Sequence, residues 1–173
     1  MKLLIVYGTR YGMTKKTGEL MYDRIIEKAP EIESTISDYH LNRELKRQMA
    51  AYDSFIVGSS IVAGFWKSGV KRFLKKYSLG EKVTSIFVTA GGSLQYAIKN
   101  NLSREEAIQK AITKYIQPVI EKYKINPLKL GVFGGQMIQH KKVKFTNWNE
   151  NDILSWTDEL ISQLKLANIK TSQ

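Results

Sequence analysis

The stretch KLLIVYGTRYGMT, residues 2–14, joins an apolar run to a polar loop that contains two glycines. The run in residues 3–7 shows no alternation of apolar and polar positions, which is typical of a strand covered on both faces in a parallel sheet. Apolar residues at helical spacing across Lys15–Lys28 predict a helix directly after the loop. The stretch therefore predicts the strand–loop–helix opening of an α/β fold.

The same alternation continues to the end of the chain. Further strands are predicted at Glu31–Ser37, Asp53–Gly58, Val83–Thr89 and Lys129–Phe133. Helices are predicted at about Trp66–Tyr77, from Ser103 toward Tyr123 with an interruption at Pro118, and from Asn151 or Asp152 to near Leu166, with residues 168–173 frayed. No linker or repeat divides the chain, so residues 1–173 are predicted to form one domain: a five-stranded parallel sheet with helices on both faces.

Composition excludes several classes of site. The chain has 173 residues, 43% of them hydrophobic, which suits a globular domain with its own core. It has no cysteine, which excludes disulfides, zinc–thiolate sites and iron–sulfur ligation. Because the apolar run at the N-terminus is too short for a signal peptide and no run of about 18 apolar residues occurs, we expect a cytoplasmic protein.

The net charge of +11 bears on partners rather than on fold. One predicted helix is strongly basic, and a second basic patch comes later; together they comprise Lys67, Lys71, Arg72, Lys75, Lys76, Lys141, Lys142 and Lys144. If these patches flank the site, they would steer an acidic redox protein or an anionic small-molecule substrate, and they also allow peripheral contact with an anionic membrane. If they lie elsewhere, they only solvate the surface.

Ligands of parallel α/β sheets bind beyond the carboxyl ends of the strands, so the loops that follow the strands are the candidate sites. The first loop is residues 8–14. Its backbone N–H groups and the hydroxyls of Thr9 and Thr14 would converge at a helix N-terminus, which suits a phosphate group. It is neither a P-loop nor a GxGxxG dinucleotide loop. An ordinary turn capped by threonines is the alternative.

Two further loops offer small and aromatic residues. After the strand at Asp53–Gly58, the segment Ser59–Trp66 combines small residues with Phe65 and Trp66, whose flat side chains suit the faces of a flavin ring. These two aromatic residues would alternatively pack the start of the helix. The loop Thr89–Ser93, with Tyr96 behind it, either borders the same ring or is only a flexible turn. Gly134–Gln136 is an additional candidate for the border of the pocket.

Three segments resemble one known family. IVYGTRYGMT resembles the flavodoxin phosphate loop, with Thr9, Gly12 and Thr14 at matching positions. VGSSIVAGFWKSGVKRFLKK and KFTNWNENDILSW are similar to segments of the flavodoxin-like protoporphyrinogen oxidase branch. The resemblance implies strand order 2-1-3-4-5 and an FMN cofactor. Residues 134–142 replace the long basic and aromatic insertion that bacterial members of that branch carry there.

The resemblance implies an FMN-dependent electron carrier or oxidoreductase, acting on another protein, protoporphyrinogen or a quinone, with the peptide at Ala63–Gly64 near the flavin N5. No catalytic acid or base and no metal site is implied. The predicted FMN-binding residues are Thr9, Arg10, Tyr11, Gly12, Met13, Thr14, Ser59, Ser60, Ile61, Val62, Ala63, Gly64, Phe65, Trp66, Thr89, Ala90, Gly91 and Gly92. A cofactor-free interaction module and a basic anion- or nucleic-acid-binding protein are the alternatives. Because no nucleic-acid-binding motif is recognisable, we expect no nucleic acid.

Overall fold

The computed structural model describes residues 1–139 and 142–171. Its strands are β1 (Lys2–Gly8), β2 (Glu33–Asp38), β3 (Ser54–Val62), β4 (Phe65–Trp66), β5 (Val83–Thr89), β6 (Lys129–Phe133), β7 (Gln136–Gln139) and β8 (Lys142–Thr146). Its α-helices are α1 (Met13–Lys28), α2 (Arg43–Gln48), α3 (Ser68–Tyr77), α4 (Gly91–Lys99), α5 (Arg104–Ala111), α6 (Gln117–Tyr123) and α7 (Glu150–Thr171). No helix among these residues is both long and apolar enough to cross a membrane.

Five parallel strands form the central sheet in the order β2-β1-β3-β5-β6. Counted among the parallel strands alone, this is the predicted order 2-1-3-4-5, and the flavodoxin-like fold class is confirmed. The short β4 pairs antiparallel with the end of β3, and β7 and β8 form a separate antiparallel hairpin. The loops after β1, β3 and β5 consequently meet at one edge of the sheet.

Both faces of the sheet are covered, as the continuous apolar runs predict. Along β1, Leu3 and Ile5 belong to the core that α1 and α7 cover, whereas Leu4 and Val6 belong to the opposite core. Helices α3, α5 and α6 cover that second face. All four of these β1 side chains are fully buried, so a polar substitution at any of them would place an unpaired polar group in a core.

The long helix that begins after Ser103 is interrupted, as predicted. The capping box is present: the side chains of Ser103 and Glu106 each accept a hydrogen bond from the other's backbone N–H. A π-helical segment, Ile112–Ile116, then separates α5 from α6, whose second residue is Pro118. Proline has no N–H to donate, and its ring crowds the carbonyl four residues earlier. The wider turn of the π-helical segment, just before Pro118, relieves that steric clash.

Several boundaries differ from the predictions. Strand β3 continues through Val62 because its end pairs with β4, and α3 starts at Ser68 rather than at Trp66. The predicted turn at Gly91–Gly92 is the beginning of α4, and the last helix runs past Leu166 to Thr171. Of the predicted second basic patch, Lys141 lies outside the described residues.

Candidate functional site

A cleft of about 630 Å³ opens where the loops after β1, β3 and β5 meet. All three predicted loops contribute to its wall, as does the loop before β7. The cleft is lined by Thr9, Tyr11, Met13, Thr14, Ser60, Ile61, Val62, Ala63, Gly64, Thr89, Gly91, Gly92, Ser93, Tyr96, Ala97, Asn100, Leu102, Ala107, Lys110, Ala111, Lys114, Tyr115, Gly135 and Gln136. Its size falls within the range of small-molecule sites.

The first loop builds an open helix N-terminus. The Thr9 hydroxyl accepts a hydrogen bond from the Gly12 N–H at 2.9 Å, and Gly12 adopts the left-handed φ of +85° that glycine allows. Helix α1 begins at the next residue and has no acidic residue in its first turn. The N–H groups of that turn have no carbonyl within the helix, so this end of the cleft suits an anion.

A buried hydroxyl pair joins the first loop to the third. The Oγ1 atoms of Thr14 and Thr89 lie 2.7 Å apart, and Thr14 is fully buried. Because β1 and β5 are separated by β3 in the sheet, this hydrogen bond ties two loops across the loop between them. Thr14 therefore contributes to the shape of the cleft.

The second loop is a tight hairpin rather than a flexible segment. Ala63 and Gly64 connect β3 to β4, with Val62 paired to Phe65. Their φ angles are +51° and +82°, and positive φ at both central residues is what a two-residue type I′ turn requires. Alanine rarely adopts such a conformation, so the turn holds the Ala63–Gly64 peptide in a defined place beside the cleft.

Ser60 contributes a hydroxyl without a partner. Its Oγ is buried and forms no hydrogen bond with any described residue, although the residue lines the cleft. The neighbouring Ser59 is satisfied, because its Oγ accepts from the Lys67 N–H at 3.0 Å. A buried polar group without a partner is costly, and a polar atom of a ligand in the cleft would supply one.

Neither of the two predicted aromatic residues is among the residues that line the cleft. Trp66 is buried in the core, and its indole N–H donates to the Tyr115 carbonyl at 2.7 Å. Phe65 is 71% exposed on β4. The alternative interpretation of Trp66, packing at the start of the helix, is therefore the one the structure supports. Arg10, Gly12, Ser59 and Ala90 were also predicted and likewise fall outside the residues that line the cleft.

The third loop is held by an asparagine that the sequence analysis did not identify. The Asn147 Oδ1 accepts from the Gly135 N–H at 2.8 Å, and its Nδ2 donates to the Gly91 carbonyl at 2.9 Å. A Cβ on Gly91 would lie only 2.6 Å from the Gly135 nitrogen. Asn147 lies in the segment KFTNWNENDILSW, and its resemblance to the flavodoxin-like branch was the available signal.

Helices α4 and α5 supply cleft residues that were also missed. Ala107, Lys110 and Ala111 of α5 line the cleft, and so do Lys114 and Tyr115 of the π-helical segment that follows. The Tyr115 hydroxyl lies 2.8 Å from the Ser93 Oγ, joining this segment to α4. Neither Asp nor Glu occurs among the described residues that line the cleft, so its charged lysines give it a positive potential.

The flavodoxin domain family model matches residues 4–149. This chain belongs to the flavodoxin domain family. A flavodoxin from Streptococcus pneumoniae superposes with a TM-score of 0.61 and 10% sequence identity, covering 96% of this chain and 99% of its own. A flavodoxin variant from Pseudomonas aeruginosa superposes with a TM-score of 0.58 and 15% sequence identity, covering 95% of this chain and 99% of its own.

A larger protein contains the same fold. Rubredoxin:oxygen oxidoreductase from Desulfovibrio gigas superposes with a TM-score of 0.60 and 11% identity, over 95% of this chain and 36% of that one. At these identities the likenesses establish the fold alone. No curated protein matches the chain in sequence.

Proposed function

We propose that this member of the flavodoxin domain family binds FMN in the cleft and transfers electrons through it. The observation that carries the proposal is the meeting of three loops in one cleft: an open helix N-terminus after β1, a hairpin after β3 and the start of α4 after β5. FMN has a phosphate at one end and a flat ring at the other. The helix N-terminus suits the phosphate, and the hairpin and the start of α4 suit the ring.

The phosphate would be held by the first loop. The first-turn N–H groups of α1 and the Thr9 hydroxyl form a donor set that includes no charged group, and Thr14, paired with Thr89, holds the loop in place. Such a set favours an anion through the helix dipole and direct hydrogen bonds. The absence of an acidic residue from the first turn leaves that attraction unopposed.

The ring would lie between the hairpin and the start of α4. Ser60 offers its unpartnered hydroxyl there. Two exposed aromatic residues line the cleft, Tyr11 at 50% and Tyr96 at 71% exposure, so each has an open face for a flat ligand. Tyr96 thereby takes the role that the sequence analysis gave to Trp66.

Bound FMN would supply the electron chemistry, while the chain supplies orientation and electrostatics. This division suits the lining of the cleft, since the described wall contains neither histidine nor carboxylate to act as a catalytic acid or base. The Ser93–Tyr115 hydroxyl pair fixes the far wall.

The redox partner is proposed to be acidic. Helix α3 and the residue before it carry Lys67, Lys71, Arg72, Lys75 and Lys76 and no acidic residue. Among the described residues none of these cations forms an ion pair. The stripe begins beside the cleft, because the Lys67 N–H donates to Ser59, the neighbour of the cleft residue Ser60. The first turn of α3 would therefore steer an acidic protein to this edge of the sheet, and the attraction would be screened by salt.

Salt dependence tests this docking. Electron transfer from the FMN-loaded protein to an acidic ferredoxin should slow steeply with added NaCl, and the variant Lys67→Gln/Lys71→Gln, at the cleft end of α3, should flatten that dependence. Salt-independent transfer would contradict an electrostatic partner. Binding to anionic vesicles without any effect on transfer would instead point to a membrane.

Protoporphyrinogen or a quinone as substrate rests on the motif resemblance alone. None of the structures named above carries that description, and residues 134–142 are short where the branch has its insertion. We therefore propose the electron-transfer activity without a named substrate. A cofactor-free interaction module is the competing proposal, and uptake of FMN separates the two.

A matched pair of variants tests the placement of the ring. Tyr96 and Phe65 are equally exposed, at 71% each, but only Tyr96 lines the cleft. Tyr96→Ala should weaken FMN binding by about three- to tenfold, the worth of one aromatic contact, and Phe65→Ala should leave it unchanged. Both affinities are measured by quenching of FMN fluorescence. If Phe65→Ala weakened binding and Tyr96→Ala did not, the ring would lie beside Phe65, and its placement beside Tyr96 would be wrong.

A further inference from the structure

The cleft continues beyond the loops assigned to FMN. Past Gly92 its wall is formed by the rest of α4, the loop that follows and α5. We call this part the second lobe; its residues are Ala97, Asn100, Leu102, Ala107, Lys110, Ala111 and Lys114. Because α4 has nine residues and a helix rises about 1.5 Å per residue, the wall reaches roughly 13 Å from Gly91 to Asn100.

The wall on α5 combines space with positive charge. Ala107 and Ala111 are four residues apart on α5, Lys110 precedes Ala111, and Lys114 follows in the π-helical segment; all four line the cleft. The alanines are buried and their short side chains leave room, while both lysines are exposed at the rim. Ala97 and Leu102 complete an apolar lining opposite the lysines' charge.

The lysines of the second lobe have no acidic partner among the described residues. The carboxylate best placed in sequence to pair with Lys110 is Glu106, four residues earlier. That carboxylate instead accepts the Ser103 N–H at 2.7 Å in the capping box. The positive charge of the lobe is therefore available to a ligand.

We propose that the second lobe binds a small, flat, apolar molecule that carries a negative charge, such as an aromatic carboxylate, and that this is the substrate class of the site. The assignment rests on the proposed FMN function, since a substrate must lie beside the flavin. The apolar walls would cover the body of the ligand, and the two lysines would pair with its anionic group.

Three matched probes test the charge preference: naphthalene-2-carboxylate, the neutral naphthalene-2-carboxamide and the cationic 2-naphthylmethylammonium. Each is titrated calorimetrically into the protein with and without saturating FMN. The anion should bind one to one to the FMN-loaded protein, more tightly than the amide, and the cation should bind most weakly. Lys110→Gln/Lys114→Gln should weaken the anion about tenfold and leave the amide unchanged.

The control is Lys46→Gln/Lys122→Gln, which removes the same charge from exposed positions outside the cleft; it should bind the anion like the wild type. If FMN binds and the anion does not, or if the anion displaces FMN, the second lobe is overturned and the FMN proposal stands. If FMN fails to bind while the anion binds through the lysines, the FMN function is overturned and with it the assignment of the anion as a substrate.

Discussion

Replacing Ser60 with alanine should stabilise the FMN-free protein and weaken FMN binding. The Ser60 Oγ is buried without a partner, and such a hydroxyl costs about 1–3 kcal/mol in proteins. Loss of one oxygen atom leaves a small void, which offsets part of the gain. We therefore expect the free energy of unfolding to rise by about 1 kcal/mol and Tm by about 2–4 °C for a domain of this size.

The matched control is Ser59→Ala, the same chemical change one position earlier. The Ser59 Oγ accepts from the Lys67 N–H at 3.0 Å and donates to the Ser60 carbonyl at 3.2 Å. Its loss should lower the free energy of unfolding by about 1–2 kcal/mol. Thermal and urea unfolding of the FMN-free proteins, followed by circular dichroism, would measure both changes, which have opposite signs.

FMN binding supplies the second half of the test. If a polar atom of FMN satisfies the Ser60 hydroxyl, Ser60→Ala should raise the Kd for FMN about three- to tenfold, the worth of one neutral hydrogen bond. A Ser60→Ala protein that is less stable than wild type would refute the reasoning about the unpartnered hydroxyl. A stabilised protein with unchanged FMN affinity would show that the hydroxyl is not part of the FMN site.

Three further predictions concern the frame of the cleft. Thr14→Val should lower the free energy of unfolding by about 1–3 kcal/mol in urea titrations, because the Thr89 hydroxyl 2.7 Å away loses its partner; an unchanged midpoint would contradict that pairing. Ser103→Ala, which removes the cap of α5, should cost about 1 kcal/mol in the same assay, and a loss below a few tenths would refute the cap. The Arg24 hydrogen bonds hold the pKa of Asp158 below its usual value. The stabilisation that these hydrogen bonds provide is therefore present at neutral pH and is lost as the pH falls below about 4. Asp158→Asn should lower Tm at pH 7, and its Tm should approach that of the wild type in acid. A difference in Tm that stays constant with pH would contradict this.

The sequence predicts the sheet well because its strands are buried on both faces. Strands β5 and β6 have the predicted bounds, Val83–Thr89 and Lys129–Phe133, since an apolar run without alternation has few other interpretations in an α/β pattern. The capping box at Ser103 and the interruption at Pro118 were also predictable. Each follows from local chemistry that needs no distant partner.

The parts of the site that depend on distant contacts could not be predicted. Helix α4 begins with two glycines, which favour a turn locally. The first of them, Gly91, instead packs against Gly135, and its carbonyl accepts a hydrogen bond from Asn147. Trp66 has an aromatic side chain suited to a flavin, yet the Tyr115 carbonyl 49 residues away accepts its N–H and fixes it in the core. The second lobe likewise exists only because α4 and α5 face each other.

A comparison of FMN with riboflavin tests whether the cleft is a flavin site with its phosphate at the first loop. The two ligands share the ring and differ by the phosphate, which is proposed to bind at the first loop and the N-terminus of α1. Titrated into the flavin-free protein and followed by quenching of flavin fluorescence, FMN should bind one to one and at least about tenfold more tightly than riboflavin. Equal affinities would contradict the phosphate site, and no uptake of either flavin would contradict the proposed function itself.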